Sequence, residues 1–174
     1  MIVMPANSTG IVTGYLAGKY TGTLGHLFSP GAQRGPYPFM PYALDNGAYS
    51  AFTAKTAWDP VAWLELLIWA KNSGQAPRWV LVPDVVGDRA ATLRKWDAHS
   101  LAASQFGWPL AFAAQDGMSP SDVPSDASVV FVGAAPNGSS TPCICGAGHS
   151  RASISGASIP IAGSPSASEL APRA

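Results

Sequence analysis

Short apolar runs recur along the first three quarters of the chain, separated by longer segments in which apolar residues have a helical spacing. The runs typical of strands are residues 10–16 (GIVTGYL), 42–44 (YAL), 79–82 (WVLV), 110–114 (LAFAA) and 128–132 (SVVFV). Nearly continuous apolar strands that alternate with helices are typical of βαβ units, in which the strands are parallel. The pattern therefore predicts an α/β fold with a parallel sheet, either open or closed into a barrel.

Two of the intervening segments carry the signals of helices. The first begins at Asp59, an N-cap residue followed by proline, and ends before Gly74. The second begins after Asp88 and ends before Gly107. The apolar positions that we expect to face the core are Val61, Leu64, Leu67, Ile68, Leu93, Trp96 and Leu101.

The composition changes sharply at Gly133. Every Trp, Tyr and Phe precedes it, whereas residues 134–174 are mostly Ala, Gly, Ser and Pro. Such a segment buries too little apolar area to offset the entropy lost on ordering. We therefore expect a folded domain at 1–133 and a disordered tail at 134–174. Some codon choices for residues 136–163 encode Trp, Tyr and strand-like alternation in a neighbouring frame, so a frameshift is one interpretation of the tail.

Charge and hydropathy exclude some classes of function. Ten basic and ten acidic residues, with a pI near 6.8, give no excess charge for holding a polyanion or a membrane surface. No run reaches the roughly 18 to 20 apolar residues of a membrane span, and the N-terminus lacks the pattern of a secretory signal. The expected location is the cytoplasm.

Polar residues and glycines follow the predicted strands at the points where the strands end. In chain order they are Asp45, Asn46, Gly47, Asp84, Gln115, Asp116 and Gly133. Any one of them alone is an ordinary turn or loop residue. Ligands of parallel α/β folds bind at the carboxyl ends of the strands, however, and four such ends in succession predict one shared pocket.

The order of four motifs, DNGAY, VPDVVGD, AAQDG and VFVG, resembles the tRNA-guanine transglycosylase superfamily. The similarity spans residues 10–133 and is strongest to the shorter phage and bacterial branch that inserts 7-deazaguanines into DNA. It implies a TIM-type (β/α) barrel, present here in part, that exchanges bases through a glycosyl-aspartate intermediate. The implied partners are nucleic acid, either DNA or tRNA, and a free purine or 7-deazapurine base, with no cofactor.

The resemblance also implies roles for individual residues. Asp45 corresponds to the aspartate that transfers protons at the exchanged base. The implied substrate-binding set is Asn46, Gly47, Asp84, Gln115 and Gly133. Independently of the family, a carboxylate such as Asp84 suits the adjacent N–H donors of a guanine edge, and an amide such as Gln115 can donate to its carbonyl oxygen.

The chain departs from the family pattern in ways that favour a weak or inactive protein. The family's nucleophilic aspartate belongs to a later strand, and nothing after Gly133 matches it; about half of a barrel of roughly 250 residues is missing. One alternative is a non-enzymatic remnant or purine-binding module. Another is an unrelated barrel, a metal-dependent hydrolase or lyase, with Asp45, Asp84 and Asp116 as ligands.

Other residues receive simpler interpretations. Cys143, Cys145 and His149 form C-x-C-x3-H, but three ligands fall short of the four of a structural zinc site, so we predict no metal. His26 is interpreted as a loop histidine, and His99 as a histidine on a helix surface.

Overall fold

The computed structural model describes residues 2–6, 10–32 and 36–132, together with the backbone of Ser153–Ser155. The elements in chain order are α1 (Ile11–Lys19), β1 (His26–Phe28), β2 (Tyr42–Leu44), α2 (Ala48–Ala54), α3 (Pro60–Asn72), β3 (Val80–Leu81), α4 (Arg89–Ser104), β4 (Leu110–Ala114), a 3₁₀ turn (Pro120–Asp122), β5 (Val129–Val132) and β6 (Ser153–Ser155). The predicted α/β fold, with a parallel sheet whose strands alternate with helices, is confirmed. Apart from β6, the tail predicted to be disordered lies outside the described residues.

The six strands lie side by side in chain order, and every neighbouring pair is parallel. Two isolated parallel bridges, Val3 with Leu24 and Ala6 with Leu27, continue the pairing beyond β1. Because all strands run the same way, the carboxyl ends of β1 to β5 lie along one edge of the sheet. This edge is where the polar residues predicted from the sequence lie.

Helices α3 and α4 cover one face of the sheet. The main core combines alternate strand residues with residues of these helices: Phe28, Tyr42, Leu44, Val80, Val82, Leu110, Phe112 and Ala114 with Trp63, Leu66, Leu67, Ala70, Trp96 and Ala103. The intervening strand residues form a second buried cluster of Ala43, Trp79, Leu81, Ala111, Ala113 and Val129. Within the described chain this second cluster contains no residue of α3 or α4, so both helices pack on the same side.

The predicted helices are confirmed at their amino ends. Oδ1 of Asp59 accepts hydrogen bonds from the backbone N–H groups of Val61 and Ala62, at 2.8 and 3.1 Å, and Pro60 occupies the first turn of α3. Asp88 caps α4 in the same way by accepting from Ala91 N–H at 2.8 Å. Local capping chemistry was therefore sufficient to locate both starts.

The buried face of each helix agrees with the predicted one only in part; in α3 the predicted core residue Leu67 is buried. In α3 the buried positions are Trp63, Leu66, Leu67 and Ala70, whereas Val61, Leu64 and Ile68 are exposed. In α4 Trp96 is buried and Leu93 is partly buried, as expected, but Leu101 is 74% exposed. In α3 the predicted face and the observed face both have helical spacing. The observed face buries Trp63, whose large apolar surface contributes more to the core than the smaller side chains of the predicted face.

The strand predicted at residues 10–16 is wrong. This segment is helix α1, and only Ala17 of that helix is buried. A short apolar run does not by itself distinguish a strand from a helix. The first sheet position is taken instead by β1, which pairs with β2 through His26–Tyr42, Leu27–Ala43 and Phe28–Leu44.

Of the helices in the described ranges, none has the length and apolar character needed to cross a membrane.

Candidate functional site

Hydrogen bonds link polar side chains at the carboxyl ends of four adjacent strands. The Ser29 hydroxyl, after β1, donates to Oδ2 of Asp45, after β2, at 2.9 Å. Nδ2 of Asn46 donates to Oδ1 of Asp84 at 2.8 Å, and Nε2 of Gln115 donates to Oδ2 of Asp84 at 2.8 Å. We call Ser29, Asp45, Asn46, Asp84 and Gln115 the strand-end cluster. The structure thus brings together four residues selected from the sequence and adds Ser29.

The turn after β2 is formed by Asn46 and Gly47, as predicted. Gly47 has φ of 77°, in the left-handed region, and is the N-cap residue of α2. Oδ1 of Asn46 accepts a hydrogen bond from Ala48 N–H at 2.8 Å, which closes the turn locally. A Cβ atom at Gly47 would lie 3.2 Å from two carbons of Pro30, so the turn also packs tightly against the end of β1.

Asn46 is buried, with 1% of its surface exposed. Its Nδ2 donates to both the Val82 carbonyl, at 3.0 Å, and Asp84. Its backbone carbonyl accepts from the indole N–H of Trp58 at 2.8 Å. The side-chain oxygen and nitrogen of Asn46 both bond the protein itself, and through its nitrogen Asn46 holds Asp84 in place.

Gln115 has an equally defined orientation. Its Oε1 accepts from Gly87 N–H at 2.8 Å, so Nε2 is the atom that faces Asp84. A second, longer bond of 3.4 Å runs from Nε2 to the Ala113 carbonyl. The backbone partners of Asn46 and Gln115 therefore fix both amides as donors, and Asp84 is an acceptor at each of its oxygens.

Both aspartates of the cluster are harder to ionise than ordinary aspartates. Burial raises the pKa of Asp45, and hydrogen bonds from Ser29 and from the backbone N–H groups of Asn46 and Gly47 oppose that rise. Burial also raises the pKa of Asp84; the Asn46 and Gln115 amides oppose it, and the negative charge of Asp45 adds to it. In both aspartates burial is the dominant cause of the raised pKa.

Among the strand-end residues predicted from the sequence, Asp116 does not join this cluster. Asp116 is exposed to solvent beside Gln115, and Gly133, Cys143, Cys145 and His149 lie outside the described residues. Across the ranges that the structure describes, no three His, Cys, Asp or Glu side chains are grouped closely enough to hold a metal ion. The carboxylate set proposed for a metal-dependent barrel is therefore not assembled by Asp45, Asp84 and Asp116.

The two histidines differ in how well they were predicted. His26 is not a loop residue: it lies on β1, is fully buried, and its ring lies 5.1 Å from that of Phe28 and 5.5 Å from that of Tyr37. His99 lies on α4 at partial exposure, as expected, against the edges of Trp58 and Trp63. Neither histidine belongs to the strand-end cluster.

Three supporting residues were missed in the sequence. Ser29 follows β1, in which only Leu27 and Phe28 are apolar, so the sequence shows no strand-like run there. Trp58 belongs to none of the motifs in the sequence, yet its indole N–H anchors the turn at Asn46. The Thr92 hydroxyl donates to the Val85 carbonyl at 3.1 Å and accepts from Val85 N–H at 3.0 Å, which ties the loop after Asp84 to α4.

A separate open groove of about 620 Å³ lies beside the amino-terminal side of β2. It is lined by Pro36, Pro38, Trp69, Ser73, Gly74 and Gln75. The Tyr42 hydroxyl, at the start of β2, donates to the Gln75 carbonyl next to this groove. None of its lining residues belongs to the strand-end cluster, which is at the other end of the strands.

The cluster provides two neighbouring carboxyl groups with different surroundings. Asp84 is held by two amides as a hydrogen-bond acceptor, while Asp45 is held by one hydroxyl and the turn backbone. Such a pair suits a planar ligand with adjacent N–H donors. No protein-family model, curated protein or solved structure matches this chain.

Proposed function

We propose that the strand-end cluster binds guanine or a 7-deazaguanine, as the base-recognising part of a transglycosylase that exchanges this base in nucleic acid. The observation that carries the proposal is the fixed acceptor geometry of Asp84. Each of its oxygens receives one amide hydrogen bond and retains further acceptor capacity. A guanine edge presents two adjacent N–H donors, which match a carboxylate in bidentate fashion.

Asp45 is the proton-transferring group in this proposal. When a base departs, its ring nitrogen takes the electron pair of the glycosidic bond and gains a proton, and the incoming base gives up a proton in return. A carboxyl group whose pKa is raised by burial is a stronger base than an ordinary aspartate, which suits both transfers. The exchange is redox-neutral and calls for no electron carrier.

The order of the strands supports the barrel architecture of the proposal. In doubly wound sheets the strand order reverses and helices cover both faces. Here the strands follow chain order, and α3 and α4 pack on the same face. Both features are typical of a (β/α) barrel, in which the helices form the outer layer and active sites lie at the carboxyl ends of the strands.

The covalent step requires a further carboxylate as nucleophile at the sugar carbon. By the resemblance, that nucleophile would come from a strand after Gly133, and residues 134–174 contain no aspartate. We therefore propose that this chain binds the base and catalyses exchange weakly or not at all. The same observation favours the second candidate, a purine-binding module without chemistry.

Calorimetric titration of the chain with guanine and with 7-deazaguanine tests the proposed recognition. Loss of a charge-assisted hydrogen bond costs about 1.5–3 kcal/mol, so Asp84→Asn should weaken binding roughly 10- to 150-fold. Asp116→Asn is the matched control because Asp116 is exposed on the next strand end, and its binding should equal that of the wild type. Absence of binding by the wild type, or equal binding by Asp84→Asn, would refute the proposal.

An exchange assay with labelled guanine separates the enzyme from the binding module. Radiolabelled guanine is incubated with DNA or tRNA and the wild-type chain, and with the Asp45→Ala variant. Incorporation that disappears in Asp45→Ala assigns an enzyme. Base binding without incorporation assigns the module.

A further inference from the structure

We infer that Ser29 is the positioning residue of the strand-end cluster: its hydroxyl holds the Asp45 carboxylate in the orientation in which Asp45 exchanges a proton with the bound base. The reference to a bound base rests on the proposed function. The hydrogen bond itself, and its effect on the titration of Asp45, do not depend on that function.

The backbone leaves Ser29 and Asp45 little freedom to separate. Phe28 and Leu44 are paired in register in β1 and β2, and Asp45 N–H donates to the Phe28 carbonyl at 2.8 Å. Ser29 and Asp45 are therefore adjacent as the next residues along both strands. Ser29 is only 6% exposed, so water has little access to compete for its hydroxyl.

The next residue, Pro30, fixes the end of β1 against the turn of β2. Its ring lies close to Gly47, where an added Cβ would meet two Pro30 carbons at 3.2 Å. Proline also restricts the backbone of the residue before it, which is Ser29. The Ser29 hydroxyl is thus held towards Asp45 by the strand pairing on one side and by the packed proline on the other.

The other groups around Asp45 do not replace this contact. Asp84, after β3, is the charged group that interacts with Asp45, and it is of like sign. After β4, Gln115 directs its amide to Asp84, and His26 on β1 stacks on Phe28. The Asn46 and Gly47 backbone N–H groups assist the ionised form of Asp45 from its own turn. Among the side chains that the structure describes, Ser29 is the donor to Asp45.

Removal of the hydroxyl has a defined direction of effect. The Ser29 hydrogen bond stabilises the ionised carboxylate and so lowers the pKa of Asp45 against the opposing effect of burial. Ser29→Ala should therefore move the titration of Asp45 to higher pH. Ser29→Thr keeps a hydroxyl at the same position and should restore the wild-type titration.

The experiment is a ¹³C NMR titration of the Asp45 carboxyl in the full chain, for wild type, Ser29→Ala and Ser29→Thr. Ser104→Ala is the matched control, since the Ser104 hydroxyl bonds the Leu101 carbonyl on the exposed end of α4. The expected result is a higher midpoint for Ser29→Ala, a restored midpoint for Ser29→Thr and no change for Ser104→Ala. Ser29→Cys keeps a side chain of similar size with a weaker donor, and its midpoint should lie between those of wild type and Ser29→Ala.

Two outcomes overturn the inference. The first is an unchanged Asp45 midpoint in Ser29→Ala, or in Ser29→Cys if the alanine variant fails to fold. The second is an Asp45 midpoint in Ser29→Thr that equals the midpoint in Ser29→Ala. Calorimetry with 7-deazaguanine on the same samples keeps the two proposals distinct. A shifted midpoint without any base binding would support the role of Ser29 and refute the proposed function. Base binding with an unshifted midpoint would support the proposed function and refute the role of Ser29.

Discussion

Asn46 gives the sharpest test of the hydrogen-bond network, because a single substitution removes several buried bonds. In Asn46→Ala, the Val82 carbonyl and Oδ1 of Asp84 both lose their donor, and Ala48 N–H loses its acceptor. A buried polar group left without a partner costs about 1–3 kcal/mol, and more when the group is charged. The two acceptors together give an expected loss of roughly 2–6 kcal/mol in the free energy of unfolding, a large part of the 5–15 kcal/mol typical of a domain.

Asn46→Asp keeps the shape of the side chain and changes only its chemistry. It places a second carboxyl group at the position that now lies 2.8 Å from Asp84. Two carboxylates at hydrogen-bond distance repel unless they share a proton. At neutral pH this variant should be at least as destabilised as Asn46→Ala, and part of the loss should be regained in acid.

The assay is urea unfolding followed by circular dichroism at neutral and acidic pH. Asn72→Ala is the control, because Asn72 is exposed at the end of α3, and its change should remain within about 0.5 kcal/mol. A loss below about 1 kcal/mol for Asn46→Ala would mean that Asn46 is not a buried anchor of Asp84. If the stability of Asn46→Asp does not depend on pH, Asp84 does not lie beside position 46.

Three further substitutions test individual parts of the fold by thermal or urea unfolding. Burial raises the pKa of Asp45 in the folded state, so wild-type stability should fall as the pH rises from the ordinary aspartate range through that raised pKa. Asp45→Asn should remove this loss and be more stable than wild type at neutral pH. If Asp45→Asn shows the same dependence of stability on pH as wild type, the prediction is contradicted. Gly47→Ala should destabilise by about 1–2 kcal/mol or more, because φ is 77° and Pro30 is close, whereas Gly74→Ala, with φ of 74° but nothing within 4 Å, should show the backbone contribution alone. Asp59→Ala should cost about 1 kcal/mol through the lost cap of α3, and a neutral result would contradict the capping.

The parts of the fold that were predicted correctly are those in which local chemistry and burial agree. Asp59 and Asp88 are caps whose side chains satisfy backbone N–H groups next to them, so the sequence alone locates α3 and α4. Strand β4 is buried at every position and reads as a continuous apolar run. Helix α1 was taken for a strand because Ile11 and Val12 are apolar and β-branched, yet both are exposed in the structure.

The position of the site was predictable from the sequence, but the hydrogen bonds within it were not. Parallel strands place Asp45, Asp84 and Gln115 at one edge of the sheet, which follows from topology alone. The support that Asn46 gives to Asp84 depends on two contacts more than 30 residues away in the chain, with Val82 and Asp84. Ser29 was missed for the same reason, since its partner Asp45 is brought near by the pairing of β1 and β2.

A crystal structure of the chain with 7-deazaguanine bound tests the central claim most directly. The account predicts that the N–H edge of the base lies within hydrogen-bond distance of the Asp84 carboxylate, with the Asp45 carboxyl beside the same ligand and Ser29 still bonded to it. A base bound elsewhere, such as in the groove between Pro36 and Trp69, or Asp45 and Asp84 carboxylates that point into different cavities, would contradict it.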